Sequence, residues 1–229
     1  MTKELRARIA LRLLAIKGRG ETLERLHRSI ESEIAESIKR IDDAGTSNND
    51  DFAEAVAEEE CLAVEELLGL AFVAAQSFIN AIRTELVAVA NIYAHDFGKA
   101  LSFAPDPKID ALKLSPTFAP TNVSIVETIN AVANYWKHSE EWPLGEETAG
   151  GRIREVWNIS TLRGIQKTSV AIAINLGLKP NSSGNMRTAA KALGIVEYDD
   201  LSPIRQVLTD WAAMLLEKSR AEFGVTDLG

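Results

Sequence analysis

Two short segments bring a histidine into register with side-chain amides. Ala131–His138 reads AVANYWKH and Ala88–His95 reads AVANIYAH, so each carries a His four residues after an Asn. Four residues is one helical turn, which stacks the two side chains on one face. At about 100° per residue, Glu127, Asn130, Asn134, His138 and Glu141 fall within one narrow arc, with Ile125, Ile129, Val132 and Trp136 opposite. On the earlier segment Asn80, Thr84, Asn91 and His95 share a face, and Ile82, Leu86, Val89 and Tyr93 lie broadly opposite. An imidazole titrates near neutral pH and can act as general acid or base without any cofactor. His138 has company for that work: Lys137 beside it, Asn134 and Glu141 about one turn away. Asn and His cost a few tenths of a kcal/mol each in a helix interior, yet they offer paired donors and acceptors. Two readings stay open. These faces are the solvent sides of two amphipathic helices, or they make specific hydrogen bonds to another helix, a ligand or a second subunit.

Other chemistries find no constellation. The single cysteine, Cys61, allows no internal disulfide and no Cys-based zinc site, and reads as a small buried hydrophobe. His27, His95 and His138 share no ligand-like spacing, and the paired Glu-x-x-His motifs of di-iron bundles are missing. No metal is expected. There is no Gly-x-Ser-x-Gly nucleophile elbow and no phosphate loop ending in Lys-Ser/Thr. No cofactor is implied.

The charge balance narrows the partners. A net charge of −8 and a pI near 5.1 repel nucleic acid and anionic membranes at long range, so any RNA contact must be local. Yet Lys3 to Arg28 holds eight Lys/Arg against Glu4, Glu21 and Glu24. That basic stretch suits a nucleic-acid or membrane-surface arm, or a helix docking on acidic surface of this protein or a partner; docking is favoured. No apolar run approaches bilayer-spanning length and the start does not look like a signal peptide, so the expectation is cytoplasmic with no membrane partner.

These residues need helices to position them. Apolar periodicity predicts an all-α helical bundle of about seven helices, a single domain over 1–229. A basic helix in 1–19 carries Leu5, Ile9, Leu13 and Ile16 inward and is broken by Gly18 and Gly20. A second runs to about Ala44 on Leu23, Leu26, Ile30, Ile34 and Ile38. The polar loop from Thr46 to Asp51 follows and caps a long central helix, Phe52 to about Phe97, with a bend expected near Gly69. The acidic first half of that helix reads as a solvated face or a dock for the basic helix, and Gly69–Ile82 as buried nearly all round. Pro105, Pro107, Pro116 and Pro120 make 102–121 an extended crossover. Then come the Glu127–Glu141 helix, a Gly- and Glu-rich loop from Leu144 to Gly151, and helices near 160–176, 186–193 and 202–223. Met186–Ile195 is similar to the first half of a helix-turn-helix, but the acidic, proline-broken Val196–Pro203 follows, so DNA reading is not expected.

Ala133-Asn-Tyr-Trp-Lys-His138 resembles the signature of the HEPN superfamily, small all-α proteins whose usual motif is Arg-polar-x-x-x-His late in a helical bundle. Many members are metal-independent RNases of toxin–antitoxin and other bacterial defence systems, with Arg and His of two protomers facing across a dimer cleft. The resemblance implies a homodimer, an RNA or protein partner, His138 as acid/base residue and Asn134 as its orienting neighbour. Ala133 stands where the family has Arg, leaving phosphate charge unstabilised unless Arg83, Lys137 or Arg187 substitutes. The alternative is a non-catalytic module binding a protein or small ligand through faces bearing Glu127, Asn130, Asn91, His95 and Lys137.

Overall fold

A seven-residue repeat builds the two longest helices. The computed structural model describes residues 2–47, 49–149 and 152–224. In α1, Lys3–Gly45, one stripe of shielded positions runs 9, 13, 16, 20, 23, 27, 30, 34, 37, 41 and 44, in alternating steps of four and three. In α2, Asp50–Phe97, positions 61, 64, 68, 71, 75, 78, 82, 85 and 89 alternate the same way. That spacing keeps one stripe of each helix facing the other along their length. The helices run antiparallel: Arg12 bonds Glu85 at 3.1 Å, His27 meets the Ala71 carbonyl at 3.2 Å, and Arg40 pairs with Glu60.

The expected break at Gly18 and Gly20 does not occur. Helix α1 continues through both, with no atom within 4 Å of the place a Cβ would occupy on either. A helical glycine costs about 1 kcal/mol, which the buried stripe of Ile9, Leu13, Ile16 and Leu23 offsets. One residue of the predicted stripe also moves. Leu26 is 48% exposed, and His27 takes the inward position.

The antiparallel pairing corrects a second expectation. It sets the basic Lys3–Arg19 stretch beside the far end of α2, where it bonds Glu85, rather than against the acidic first half. Helix α2 also corrects the sequence estimate of apolar length. Its most apolar 18-residue stretch has mean hydropathy 1.6, long and apolar enough to cross a membrane by length and composition, and 56% of it is buried within the fold.

The described residues are mostly helical, with seven α-helices among them. The count matches by compensation, since α1 joins two predicted helices and the proline-rich crossover supplies a new one. That is α3, Pro107–Lys113, with Pro107 in its first turn and Asp106 accepting from the Lys108 N–H at 3.1 Å. A two-residue strand pair follows, β1 (Thr117–Phe118) with β2 (Val123–Ser124). Helix α4 spans Ile125–His138 and closes in a 3-10 turn, Ser139–Glu141. The segment expected as a loop after it is instead half of a hairpin, β3 (Leu144–Ala149) against β4 (Arg152–Trp157), in register from Leu144↔Trp157 to Ala149↔Arg152. Gly150 and Gly151, part of that expected loop, lie outside the described residues, as does Asn48 of the earlier one. Helices α5 (Gly164–Asn175), α6 (Asn185–Ala192) and α7 (Ser202–Phe223) complete the chain. One contiguous apolar cluster runs from Leu5 to Phe223.

Two late helices receive N-terminal carboxylates from distant parts of the chain. Glu65 of α2 accepts from the Met186 and Arg187 N–H groups of α6, and Glu31 of α1 accepts from the Leu201 N–H at 2.7 Å while pairing with Arg205 of α7. Unsatisfied N–H groups and the positive end of the helix dipole make these favourable anion positions. Helices α6 and α7 are thereby pinned to the long hairpin.

Candidate functional site

Helix α4 begins with a reciprocal cap. The Ser124 hydroxyl accepts from the Glu127 N–H, and the Glu127 carboxylate accepts from the Ser124 N–H, both at 3.1 Å. Glu127, a candidate binding residue, is therefore engaged in starting the helix. Further along, the arc of amides meets α2. Gln76, buried in the apolar stretch of α2, donates through its Nε2 to Asn134 Oδ1 at 2.7 Å, Asn130 Oδ1 at 3.0 Å and the Asn130 carbonyl at 3.2 Å. Asn134 in turn donates to the buried Ser169 hydroxyl of α5 at 3.3 Å. The amide stripe is thus an interhelical polar seam, with both of its asparagines half-buried. Of the two readings, specific hydrogen bonding holds for Asn130 and Asn134.

The earlier copy of the string differs. Asn91 and His95 are exposed, and His95 Nδ1 lies 2.8 Å from Asp96 of its own helix. For this segment the solvent-face reading describes the structure. The same four-residue spacing therefore has two fates, decided by whether another helix packs on the face.

His138 sits at the end of α4 with its side chain 45% exposed and Nδ1 3.3 Å from Glu141 Oε1. It opens on a small hollow of about 190 Å³ bounded by Asn134, Glu141, Trp142, Ile165, Gln166 and Ser169. Those residues include no Lys or Arg. Lys137 is exposed, Arg187 bonds Glu65, and Arg83 donates to the Lys108 carbonyl and to Asn80. Burial lowers the Arg83 pKa, opposed by the nearby Asp106. Ala133, at the position where the HEPN motif carries Arg, is wholly buried.

The other side of α4 faces a larger cleft, about 500 Å³, that sequence reasoning did not find. Tyr135, Trp142 and Trp157 form an edge-to-face triangle with centroids 5.6 to 5.8 Å apart. Asn185 donates to the Tyr135 hydroxyl, to the Lys179 carbonyl at 2.7 Å and to the Ser182 carbonyl at 3.0 Å, fixing the 179–185 loop as one wall. Burial pushes the Tyr135 phenol up, partly offset by the Asn185 hydrogen bond. Trp136 lies against Gly69, where a Cβ would come within 2.2 Å of the indole. Only glycine admits that approach. A signal for this cleft existed in the string, three tryptophans within 136–157, whereas Gln76 interrupting an apolar run signals the seam on the other side of α4.

Among the described residues no three His, Cys, Asp or Glu side chains converge as metal ligands would. The one Glu-x-x-His spacing in the chain, Glu24 to His27, is engaged elsewhere: Glu24 pairs with Arg28 and Arg205, and His27 bonds a backbone carbonyl. No family model matches this chain, and neither a curated protein nor a solved structure matches it.

Proposed function

We propose that this chain is a HEPN-like helical protein of the bacterial defence or toxin–antitoxin type that lacks nuclease chemistry and works by binding. In this reading the helices form a single bundle around α2, bent near the Trp136 seat at Gly69, and the protein acts in the cytoplasm as a homodimer. The burial of Ala133 carries the reading. The motif's basic residue is absent at a position closed to solvent, and no Lys or Arg bounds the hollow at His138. A phosphodiester transition state there would lack a cation for its developing charge, an effect worth several kcal/mol in enzymes that have it. Asn134, the implied orienting residue, already spends its amide on Gln76 and Ser169.

The test is direct. Purified protein incubated with tRNA and mixed RNA in EDTA should cleave neither, even at high protein concentration. Cleavage that disappears in His138→Ala would overturn the proposal and establish a nuclease whose general acid or base is His138.

A further inference from the structure

The cleft beside Tyr135 has the chemistry of a receptor for an organic cation. Its aromatic lining is the half-buried Trp136 backed by the buried Tyr135 and Trp157, and its carboxylates come from Glu65, Glu66 and Glu140. Glu65 is spoken for, being buried and bonded to Met186, Arg187 and the N-terminus of α6. Glu66 and Glu140 are different. They come from separate elements, α2 and the 3-10 turn, both are exposed, and neither has an ion pair or hydrogen bond among the described residues. No Lys or Arg is among the residues bounding the cleft, and with Glu65 paired to Arg187 the charges left on its walls are the carboxylates of Glu66 and Glu140. These carboxylates belong to no set of three that converges on one point, which argues against a bare metal ion. An aromatic ring sharing a cleft with carboxylates from two elements instead suits a cation with an apolar body, held by ring quadrupole and charge together. The volume lies within the range of small-molecule sites. The walls are set before any ligand arrives, by Asn185 on the 179–185 loop and by Gly69 beneath Trp136.

We propose that this cleft binds an alkylammonium or guanidinium group, presented by a free polyamine or by a basic side chain of a peptide. The proposal rests on the binding reading above but fails separately from it. RNA cleavage would sink that reading and leave cation binding untouched, whereas absence of cation binding would leave the nuclease result untouched.

Tryptophan fluorescence and calorimetry of the full chain, titrated at constant ionic strength with spermidine and separately with an arginine-containing tetrapeptide, test it. Saturable binding of either is expected, and the tighter arm identifies the source. Glu66→Gln with Glu140→Gln, both at exposed positions, should weaken binding about fivefold or more while leaving the thermal transition in place. Trp136→Leu should weaken it too, with folding checked by circular dichroism. A response no larger than that to added NaCl, or equal affinity in the double Glu variant, would overturn the assignment.

Discussion

Asn134 and Asn91 share residue type, sequence neighbourhood and helical spacing, and differ in what faces them. Asn134 closes a chain from Gln76 through its own amide to Ser169, while Asn91 faces solvent. Removing one member of a half-buried network leaves its partners short of hydrogen bonds, at about 1–3 kcal/mol, whereas exposed positions usually change stability by less than about 0.5 kcal/mol. Asn134→Ala should therefore lower the free energy of unfolding by more than about 1 kcal/mol in urea titrations, and Asn91→Ala should leave it nearly unchanged. Equal losses would mean that the seam contributes nothing specific. At this scale the sequence identified the amide arc and its anomalous composition. It did not identify Gln76 as the partner, because periodicity describes one helix at a time and the partner lies 58 positions upstream.

At the scale of elements, the glycines of α1 show how local signals mislead. Gly18 and Gly20 look like a helix end, and a two-residue window gives no reason to continue. The reason to continue is the heptad stripe, which runs unbroken from Ile9 to Ala44 and is legible only over many turns. Both glycines have open space at the Cβ position and neither has a positive φ. Alanine at either site should then stabilise the protein by about 0.5–1 kcal/mol, by restricting the unfolded chain and favouring helix. A destabilising result for both, in thermal or urea unfolding, would show that α1 does need its glycines. The β3–β4 hairpin escaped for the opposite reason. Glu146, Glu147, Thr148, Arg154 and Glu155 are all exposed, so no apolar alternation marks either strand, and only the Gly-Gly pair between them hinted at a turn.

The whole molecule is fastened along α1, and His27 lies at the middle of that fastening. It is fully buried, its Nε2 donates to the Ala71 carbonyl of α2, and its Nδ1 has no hydrogen-bond partner among the described residues. Glu24, Glu31 and Arg205, which join α1 to α7, are its charged neighbours. Burial lowers its pKa from 6.5 to about 4, with the Ala71 hydrogen bond and the two carboxylates opposing and Arg205 assisting. The folded state therefore prefers neutral imidazole. The contribution is fully present above the unfolded value of 6.5 and is lost as pH falls from there toward 4, because the unfolded chain binds the proton first. At about 1.4 kcal/mol per unit the span amounts to about 3 kcal/mol, a large share of the margin of a typical domain. Carboxylates titrate in the same window, so the isolating comparison is with His27→Leu, which keeps an apolar occupant in the seam. The Ala71 carbonyl remains within the hydrogen-bonded interior of α2 in that variant. Between pH 7.5 and pH 4.5 the wild type should lose about 2–3 kcal/mol more unfolding free energy than the variant. Parallel losses would show that His27 titrates alike in the folded and unfolded chain, and that the acid sensitivity of the hairpin lies in its ion pairs instead.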